Sequence, residues 1–377
     1  MIIGINYPWL NYDWDFGIPP PGWTSRAVWI NMLDADLKTF KRCNIQVVRW
    51  FILGSGMLYG QQGLAPHRAG NQWRFDQMPG IDPSILEDFR RLLQIFASHE
   101  MKLLPVLMDF KWAFPGLDRH TTDASTLKAW YGRFDTHSMT LQEARQNARQ
   151  MPEGFVKGGR LDVIYDPSKS AGFFRNVLSP FLALSQEYRD TIYAWELINE
   201  PEWVTRQKGL GSIVPQHKRI PLNRILQFIR DGLTVIQNFG FVPTVGFAHA
   251  RTISNWESSL YKKRRLLKET ASLPETNHLG LGINQFHYYP SDISDLLIPN
   301  RFPNKQTAIL GEFATKVSPV RWPELNDAHQ GIHERLRLVQ AKGYAAAFPW
   351  SYHAADQHTE SNKNIIEAAL STLRALA

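Results

Sequence analysis

The stretch DPSILEDFRRLLQIFASHEMKLLPVLMD, residues 82–109, contains the repeating unit from which the fold can be predicted. Asp82 followed by Pro83 is typical of the start of a helix, and apolar residues then recur at helical spacing from Ile85 to Phe96. Residues 102–109 are a short apolar run that predicts a buried strand. Further strand-like runs lie at residues 2–7, 46–53, 191–199, 242–248, 281–289, 307–313 and 344–350.

This alternation of strands and helices favours a (β/α)8 barrel over an open sheet, because there are eight strands and several are apolar on both faces. The chain has 377 residues, more than the ~250 typical of such a barrel. The excess falls in segments that follow strands, at about 54–81, 110–165, 200–220 and 249–280. No linker-like stretch divides the chain, so we expect residues 1–377 to form one catalytic domain.

The composition excludes several classes of protein. With 44% hydrophobic and 20% charged residues the chain resembles an ordinary globular protein and not a disordered one. No apolar run approaches the length of a membrane span. The single cysteine, Cys43, excludes an intrachain disulfide. The first residues, MIIGINYPWL, lack the features of a signal peptide, so a cytoplasmic location is expected unless an export signal has been removed.

The net charge of +7 raises the question of a nucleic-acid partner. The dense basic run is Lys262 to Arg265, and its apolar neighbours are typical of the solvated face of a helix. We therefore expect no nucleic-acid partner, and we expect a monomer. The thirteen tryptophans are more informative, because many lie in apparent loops beside Pro, Gly or Asn and would form a surface that stacks on flat partners.

Carboxylates lie at the ends of two opposite strands, and the C-terminal ends of barrel strands carry the chemistry of this fold. Strand four ends in WELINEP, residues 195–201, and strand seven ends in ILGEF, residues 309–313. Glu200 and Glu312 are thereby expected to face each other across the mouth of the barrel. Two carboxylates in this arrangement are what glycoside hydrolysis requires.

With these motifs the sequence resembles clan A glycoside hydrolases of the family 5 type over essentially the whole chain. Asn199-Glu200-Pro201 resembles the acid/base motif of that family, and Gly311-Glu312-Phe313 resembles its nucleophile motif. The resemblance implies a retaining hydrolase without cofactor or metal that acts on β-linked oligosaccharides or polysaccharides of the β-mannan or β-glucan type. The sequence of residues 195–201 is similar to the corresponding motif of the β-mannanases of the family.

The resemblance also implies supporting roles at other strand ends. Arg49 corresponds to an arginine that orients the nucleophile, His287 to a residue near the acid/base, and Tyr289 to one near the nucleophile. Trp350 corresponds to the floor of the sugar site before the scissile bond. The sequence departs from the family at strand three, where many members have a histidine and this chain has MDFKW at residues 108–112.

The chemistry itself assigns roles to these groups. Glu200 must hold a proton for the leaving oxygen, which requires a raised pKa from partial burial and a nearby second carboxylate. Glu312 must stay ionised to attack the anomeric carbon, held by Arg49 and a tyrosine hydroxyl. Asn199 is expected to bind the sugar 2-hydroxyl, and the two carboxyl groups should lie about 5–5.5 Å apart.

Several of these residues have structural alternatives. Glu196 has the same strand parity as Glu200 and lies about 13 Å deeper, so we interpret it as a buried ion-pair or hydrogen-bond acceptor whose partner could be Arg49. His287 could be a core histidine, and Asp109 a loop cap. Four aromatic residues follow strand ends and are candidate sugar platforms, although ordinary loop packing explains them equally well: Trp9, Phe110, Trp112 and Trp203.

Three other functions stay open at this point. A barrel that has lost activity could still bind carbohydrate, although intact Glu200, Glu312, Asn199 and Arg49 argue against this. A transglycosylase would use the same residues as a hydrolase. A metal-dependent barrel hydrolase or isomerase would need clustered ligands at strand ends, and His287 and Asp109 alone do not complete such a site.

Overall fold

The computed structural model describes residues 1–10, 13–18, 26–59, 67–69, 72–131, 140–206, 220–249, 279–289, 307–315, 328–353, 366–367 and 370. Eight parallel strands in this part of the chain close into a barrel. They are β1 (Ile2–Asn6), β2 (Val47–Phe51), β3 (Lys102–Asp109), β4 (Trp195–Asn199), β5 (Pro243–Phe247), β6 (Asn284–Tyr288), β7 (Ala308–Ala314) and β8 (Ala346–Trp350). The predicted (β/α)8 barrel is confirmed.

Each strand pairs with its neighbours in the chain, and β1 closes the barrel by pairing with both β2 and β8. Helices in the described residues are α1 (Arg26–Arg42), α2 (Pro83–Ser98), α3 (Ala124–Tyr131), α4 (Leu141–Arg149), α5 (Leu161–Tyr165), α6 (Pro167–Phe173), α7 (Ser179–Gln186), α8 (Leu222–Asn238) and α9 (Ala328–Ala341). A π-helical turn, Phe174–Leu178, joins α6 to α7, and 3-10 turns form at Phe110–Ala113, Arg189–Thr191 and Pro201–Val204. Outside the barrel, two short strand pairs join His67–Ala69 to Gln72–Arg74 and Thr205–Arg206 to Ile220–Pro221.

Helix α2 shows how the sequence produces the outer layer. The Asp82 side chain accepts a hydrogen bond of 2.8 Å from the backbone N–H of Ser84, and Pro83 occupies the first turn, where no N–H partner is needed. Phe89 and Leu92 on the inner face are fully buried, and Phe89 packs against Trp195 of β4 with ring centroids 5.8 Å apart. Full burial of each such side chain contributes roughly 1.5–3 kcal/mol, which holds the helix on the sheet.

The barrel interior has an apolar lower layer and a polar upper layer. Phe348 of β8 fills the lower layer so closely that a Cβ on Gly4 of β1 would lie 2.2 Å from its ring. Above it, Arg49, Glu196 and Gln285 are fully buried although all three are polar. Buried charges persist in a protein only where they are paired, so this layer must be a connected hydrogen-bond network.

Two expectations concern residues or features beyond the barrel strands. The basic run at 262–265 lies outside the described residues, and a single domain over residues 1–377 stays a prediction. Among the described helices, none combines the length and the apolar character needed to cross a bilayer.

Candidate active site

Glu200 lies directly after β4 at the C-terminal mouth of the barrel. Its backbone has φ of 46° and ψ of 51°, a left-handed conformation that costs a non-glycine residue about 1–3 kcal/mol. The backbone N–H of Glu200 donates a 2.6 Å hydrogen bond to the carbonyl of Gly246, at the end of β5. Strained residues of this kind cluster at functional sites, because the surrounding structure must hold a side chain in one particular direction.

Glu312 lies in β7 at an irregularity of the barrel. The pairing of β7 with β8 shifts register between Leu310 and Phe313, and the pairing with β6 shifts beside His287. A Cβ on Gly311 would lie 2.6 Å from the amide nitrogen of Gln285, so only glycine fits before Glu312. This is the physical reason for glycine in the Gly311-Glu312-Phe313 motif.

The two carboxyl groups lie side by side with His287 between them. One oxygen of Glu200 and one oxygen of Glu312 are within 4.8 Å of each other. The imidazole Nδ1 of His287 is 2.7 Å from Glu200 Oε1 and 3.4 Å from Glu312 Oε2. The contact expected between His287 and the carboxyl after strand four is present, and the same nitrogen also faces the second carboxyl.

Arg49 is the centre of the buried network. Its Nε and Nη2 donate to the two oxygens of Glu196 at 2.7 Å each, and its Nη1 donates to Glu312 Oε1 at 2.6 Å. The remaining N–H groups donate at 2.8 Å to Asn6 and Asn199. Arg49 therefore contacts both of the partners that the sequence allowed for it, Glu312 and Glu196. The interpretation of Glu196 as a buried ion-pair partner is confirmed, and Gln285 also donates to it at 2.6 Å.

Asn199 is fixed from both ends of its amide group. Its oxygen accepts from Arg49 Nη2, and its Nδ2 donates to Asp109 Oδ2 at 2.9 Å. Asp109 also caps the 3-10 turn after β3, because its Oδ1 accepts from the backbone N–H of Lys111 at 2.9 Å. Asp109 was expected as a loop cap, whereas its contact with Asn199 was missed. The two residues are opposite each other in the β3–β4 register, so strand parity was the signal that could have found this contact.

Two further donors contact the carboxyl groups. The hydroxyl of Tyr289 donates to Glu312 Oε2, which places this tyrosine where the family resemblance implied. The indole N–H of Trp203 donates to Glu200 Oε2 at 2.7 Å. The sequence suggested only a sugar platform or loop packing for Trp203, and no local motif indicates this hydrogen bond.

Burial controls the protonation of the site. It raises the pKa of Glu200 from 4.5 to about 7, an effect that the Trp203 hydrogen bond opposes and the charge of Asp109 increases. Burial lowers the pKa of His287 to about 4, so the imidazole is neutral at neutral pH. Burial also raises the pKa of Glu312, and the Arg49 guanidinium opposes that shift. Since Arg49 contacts Glu312 and not Glu200, its positive charge favours ionised Glu312, and a single proton shared by the two carboxyl groups is more stable on Glu200.

The hydrogen-bond donors around the carboxylates compete with metal binding. Glu200, His287 and Glu312 are close enough to share one cation. Both oxygens of Glu312 already accept hydrogen bonds, from Arg49 and Tyr289, and the permanent charge of Arg49 lies 2.6 Å away. A second cation would be repelled by the guanidinium and would have to displace these donors. The arrangement suits proton transfer better than metal binding.

The predicted aromatic platforms have different surroundings. Trp350 at the end of β8 is 8% exposed, and its ring lies 6.5 Å from that of the partly exposed Trp9. Phe110 is 9% exposed, and Trp203 is half-buried. The prediction of Trp112 as a sugar platform is wrong, because its ring is fully buried, stacks on Tyr59, and donates from Nε1 to the carbonyl of Gly54 at 2.8 Å. The 3-10 turn Phe110–Ala113 directs this side chain into the core.

Comparison with known proteins identifies the fold. No protein-family model and no curated protein sequence matches the chain. Solved structures with the same fold include the β-1,4-D-mannanase from Cryptopygus antarcticus, at 18% identity, 98% coverage of this chain, 89% of that chain and a TM-score of 0.62. The endo-1,4-β-mannanase from Eisenia fetida matches at 19% identity, 99% and 90% coverage and a TM-score of 0.62. The β-mannanase from the blue mussel Mytilus edulis matches at 16% identity, 99% and 91% coverage and a TM-score of 0.60. The chain therefore has the barrel fold that its resemblance to family 5 implied.

Proposed function

We propose that this chain is a glycoside hydrolase of the family 5 type that cleaves β-linked glycans with retention of configuration. The observation that carries the proposal is the pair of carboxyl groups of partly buried Glu200 and buried Glu312, whose oxygens approach within 4.8 Å at the mouth of the barrel. Inverting enzymes keep their carboxyl groups about 6.5–9.5 Å apart to admit a water molecule, whereas retaining enzymes keep them about 5–5.5 Å apart. The shorter spacing supports a double displacement.

The roles of the two carboxyl groups follow from their partners. Glu200 has a pKa of about 7, and the guanidinium of Arg49 binds Glu312 instead of Glu200, so Glu200 holds a proton for the leaving oxygen. Glu312 is paired with Arg49 at 2.6 Å and accepts from the Tyr289 hydroxyl, which favours its ionised form. We therefore assign Glu200 as acid/base and Glu312 as nucleophile.

The reaction then runs in two steps. Glu312 attacks the anomeric carbon while the glycosidic bond breaks and the Glu200 proton moves to the leaving oxygen, which gives a covalent glycosyl-enzyme. Glu200, now ionised, takes a proton from water, and the water oxygen attacks the anomeric carbon and releases Glu312. Asn199 has one amide N–H beyond the bond to Asp109, and that N–H is available for the sugar 2-hydroxyl. A bond to this hydroxyl strengthens as the oxocarbenium-like transition state forms.

Two observations support the proposed substrate class. The WELINEP sequence of residues 195–201 is similar to that of β-mannanases, and several solved structures with the same fold are named as mannanases. We propose a β-mannan or manno-oligosaccharide substrate, with β-glucan as the second choice. Trp350 would form the floor of the sugar site and Trp9 its edge, since aromatic faces stack on pyranose rings.

The test is a hydrolysis screen over manno-, gluco- and xylo-oligosaccharides with product lengths determined by chromatography. The stereochemistry of the first product should be read by proton NMR before mutarotation, and we expect the retained anomer. The matched control is Glu312→Gln, which removes the nucleophile with little change of shape. Binding without cleavage in the wild type would favour the carbohydrate-binding alternative. Longer products than substrates would favour transglycosylation, and an inverted first product would exclude the double displacement.

A further inference from the structure

Trp203 is held against the acid/base carboxyl by its own local structure. It lies in the 3-10 turn Pro201–Val204 that starts directly after Glu200, and its backbone N–H donates to the carbonyl of Glu200 at 3.2 Å. The Thr205 hydroxyl donates to the carbonyl of Pro201 at 2.9 Å, which closes the turn. The indole ring packs edge-on against His249 with centroids 5.6 Å apart. These contacts fix where the indole N–H points.

The two oxygens of Glu200 have partners of different kinds. Oε2 accepts from Trp203 Nε1 at 2.7 Å, and an indole nitrogen can only donate. Oε1 lies 2.7 Å from His287 Nδ1, and a neutral imidazole nitrogen donates or accepts according to its tautomer. The histidine contact can therefore adapt when Glu200 gains or loses its proton. The tryptophan contact cannot adapt, and it favours the ionised carboxylate.

On the basis of the function proposed above, we propose that Trp203 is a positioning residue for Glu200. Its N–H keeps Oε2 in place through both steps and favours the ionised form that must activate water in the second step. This role differs from that of a sugar platform, which would use the face of the ring and not its nitrogen.

Besides the Trp203 N–H, several charged or titratable groups act on Glu200. Charged or titratable groups that act on it are His287 from β6, Glu312 from β7, Asp109 and Lys111 from the end of β3, and Arg49 from β2. Burial is the largest influence and raises the pKa of Glu200, while the indole hydrogen bond is the largest influence that lowers it. Loss of the N–H should therefore raise this pKa.

The experiment compares wild type with Trp203→Phe, which keeps an aromatic face and removes the N–H. We expect the alkaline limb of kcat/KM against pH to move up by about one pH unit, since a hydrogen bond to a charged group has about that effect on a pKa. The value of kcat should fall about tenfold because the proton donor is less well oriented. The value of KM should stay within about twofold, because a ring face is retained.

A readout without activity keeps this inference separate from the proposed function. In protein labelled with [δ-13C]glutamate, the carboxyl band that disappears in Glu200→Gln identifies Glu200 in difference infrared spectra. We expect that band to titrate about one pH unit higher in Trp203→Phe than in wild type. This result would support the inference even if no tested glycan were cleaved.

The matched control is Trp130→Phe. Trp130, in α3, also donates a hydrogen bond from Nε1, of 2.8 Å to the carbonyl of Pro115, and neither Glu200 nor Glu312 takes part in that bond. We expect no change in the titration of Glu200 in this variant. Three outcomes would overturn the inference. They are an unchanged titration of Glu200 in Trp203→Phe, an equal shift in Trp130→Phe, and a raised KM in Trp203→Phe with unchanged kcat and unchanged pKa of Glu200. The last outcome would indicate that Trp203 is a sugar platform.

Discussion

Replacement of Arg49 by lysine tests whether the geometry of this guanidinium matters beyond its charge. A guanidinium has five N–H donors in a fixed plane, and in this protein all five are used. The acceptors are Glu196, Glu312, Asn6 and Asn199. A lysine ammonium keeps the positive charge but has three donors on one nitrogen, so at least two of these hydrogen bonds must be lost.

The size of the effect follows from the burial of the acceptors. Arg49, Glu196 and Asn6 are fully buried, and Glu312 is 3% exposed. A buried acceptor left without a donor costs about 1–3 kcal/mol, so two lost bonds should reduce the free energy of unfolding by about 2–6 kcal/mol. Since the lost bonds also position Glu312 and Asn199, kcat/KM should fall by about 100-fold or more.

The assay is equilibrium unfolding in urea followed by tryptophan fluorescence, together with steady-state kinetics on the best glycan from the screen. The matched control is Arg91→Lys, because Arg91 forms an exposed pair with Glu87 at 3.2 Å on the surface of α2. That change should alter the free energy of unfolding by less than about 0.5 kcal/mol. An Arg49→Lys protein as stable and as active as the control would show that charge alone explains the role of Arg49.

Four other predictions follow from the same site. Glu200→Ala should still form and accumulate the glycosyl-enzyme with an activated aryl glycoside, and added azide should restore turnover with retained configuration. Glu312→Ala should be slow on every substrate and give an azide product of inverted configuration. NMR of the products distinguishes these outcomes, and exchanged stereochemistry would reverse the two roles. Wild-type kcat/KM should fall tenfold per pH unit above about pH 7, where Glu200 loses its proton. The raised pKa means that the folded protein binds the Glu200 proton more tightly than the unfolded chain does, so the free energy of unfolding of wild type falls as pH rises from about 4.5 to 7. Urea titrations should therefore show Glu200→Gln gaining stability relative to wild type over that range. Gly246→Ala should be destabilised, because a Cβ would lie 2.3 Å from Glu196 Oε1 and 3.0 Å from His287 Nε2; thermal unfolding measures this, and an unchanged Tm would show that the backbone adjusts freely.

The barrel could be predicted because its strands leave a clear pattern in the sequence. All eight predicted runs overlap a barrel strand, and most strands are shorter than the runs, as with Trp195–Asn199 inside residues 191–199; the strand Ala308–Ala314 ends one residue beyond its run. Some apolar residues just before a strand are buried without belonging to it: Ile192 forms a single parallel bridge to Leu103 of β3, and Ala194 packs among the apolar residues of the barrel interior. The periodicity of apolar residues follows burial, so a strand predicted from it can extend beyond the residues that form the hydrogen bonds of the sheet.

Side-chain partners in the loops could not be predicted in the same way. Trp112 and Trp203 both follow strand ends, and the sequence gives no reason to treat them differently. A 3-10 turn directs Trp112 into the core and another turn directs the Trp203 nitrogen to Glu200. The direction of a side chain in such a turn depends on the backbone path of the whole loop, which local spacing does not encode.

The charges around Arg49 explain how, in the proposed mechanism, Glu200 acts first as an acid and then as a base. Glu196 binds Arg49 through both oxygens and neutralises it, so ionised Glu312 leaves one net negative charge in a buried site. Burial is the main cause of the raised pKa of Glu200, and ionisation of Glu200 would in addition place a second negative charge within 4.8 Å of ionised Glu312. In that mechanism Glu312 then becomes an ester in the glycosyl-enzyme, its charge disappears, and its repulsion no longer opposes the ionisation of Glu200. The deprotonated form is then supported by Trp203, and Glu200 can accept a proton from water because the nucleophile it faces is no longer charged.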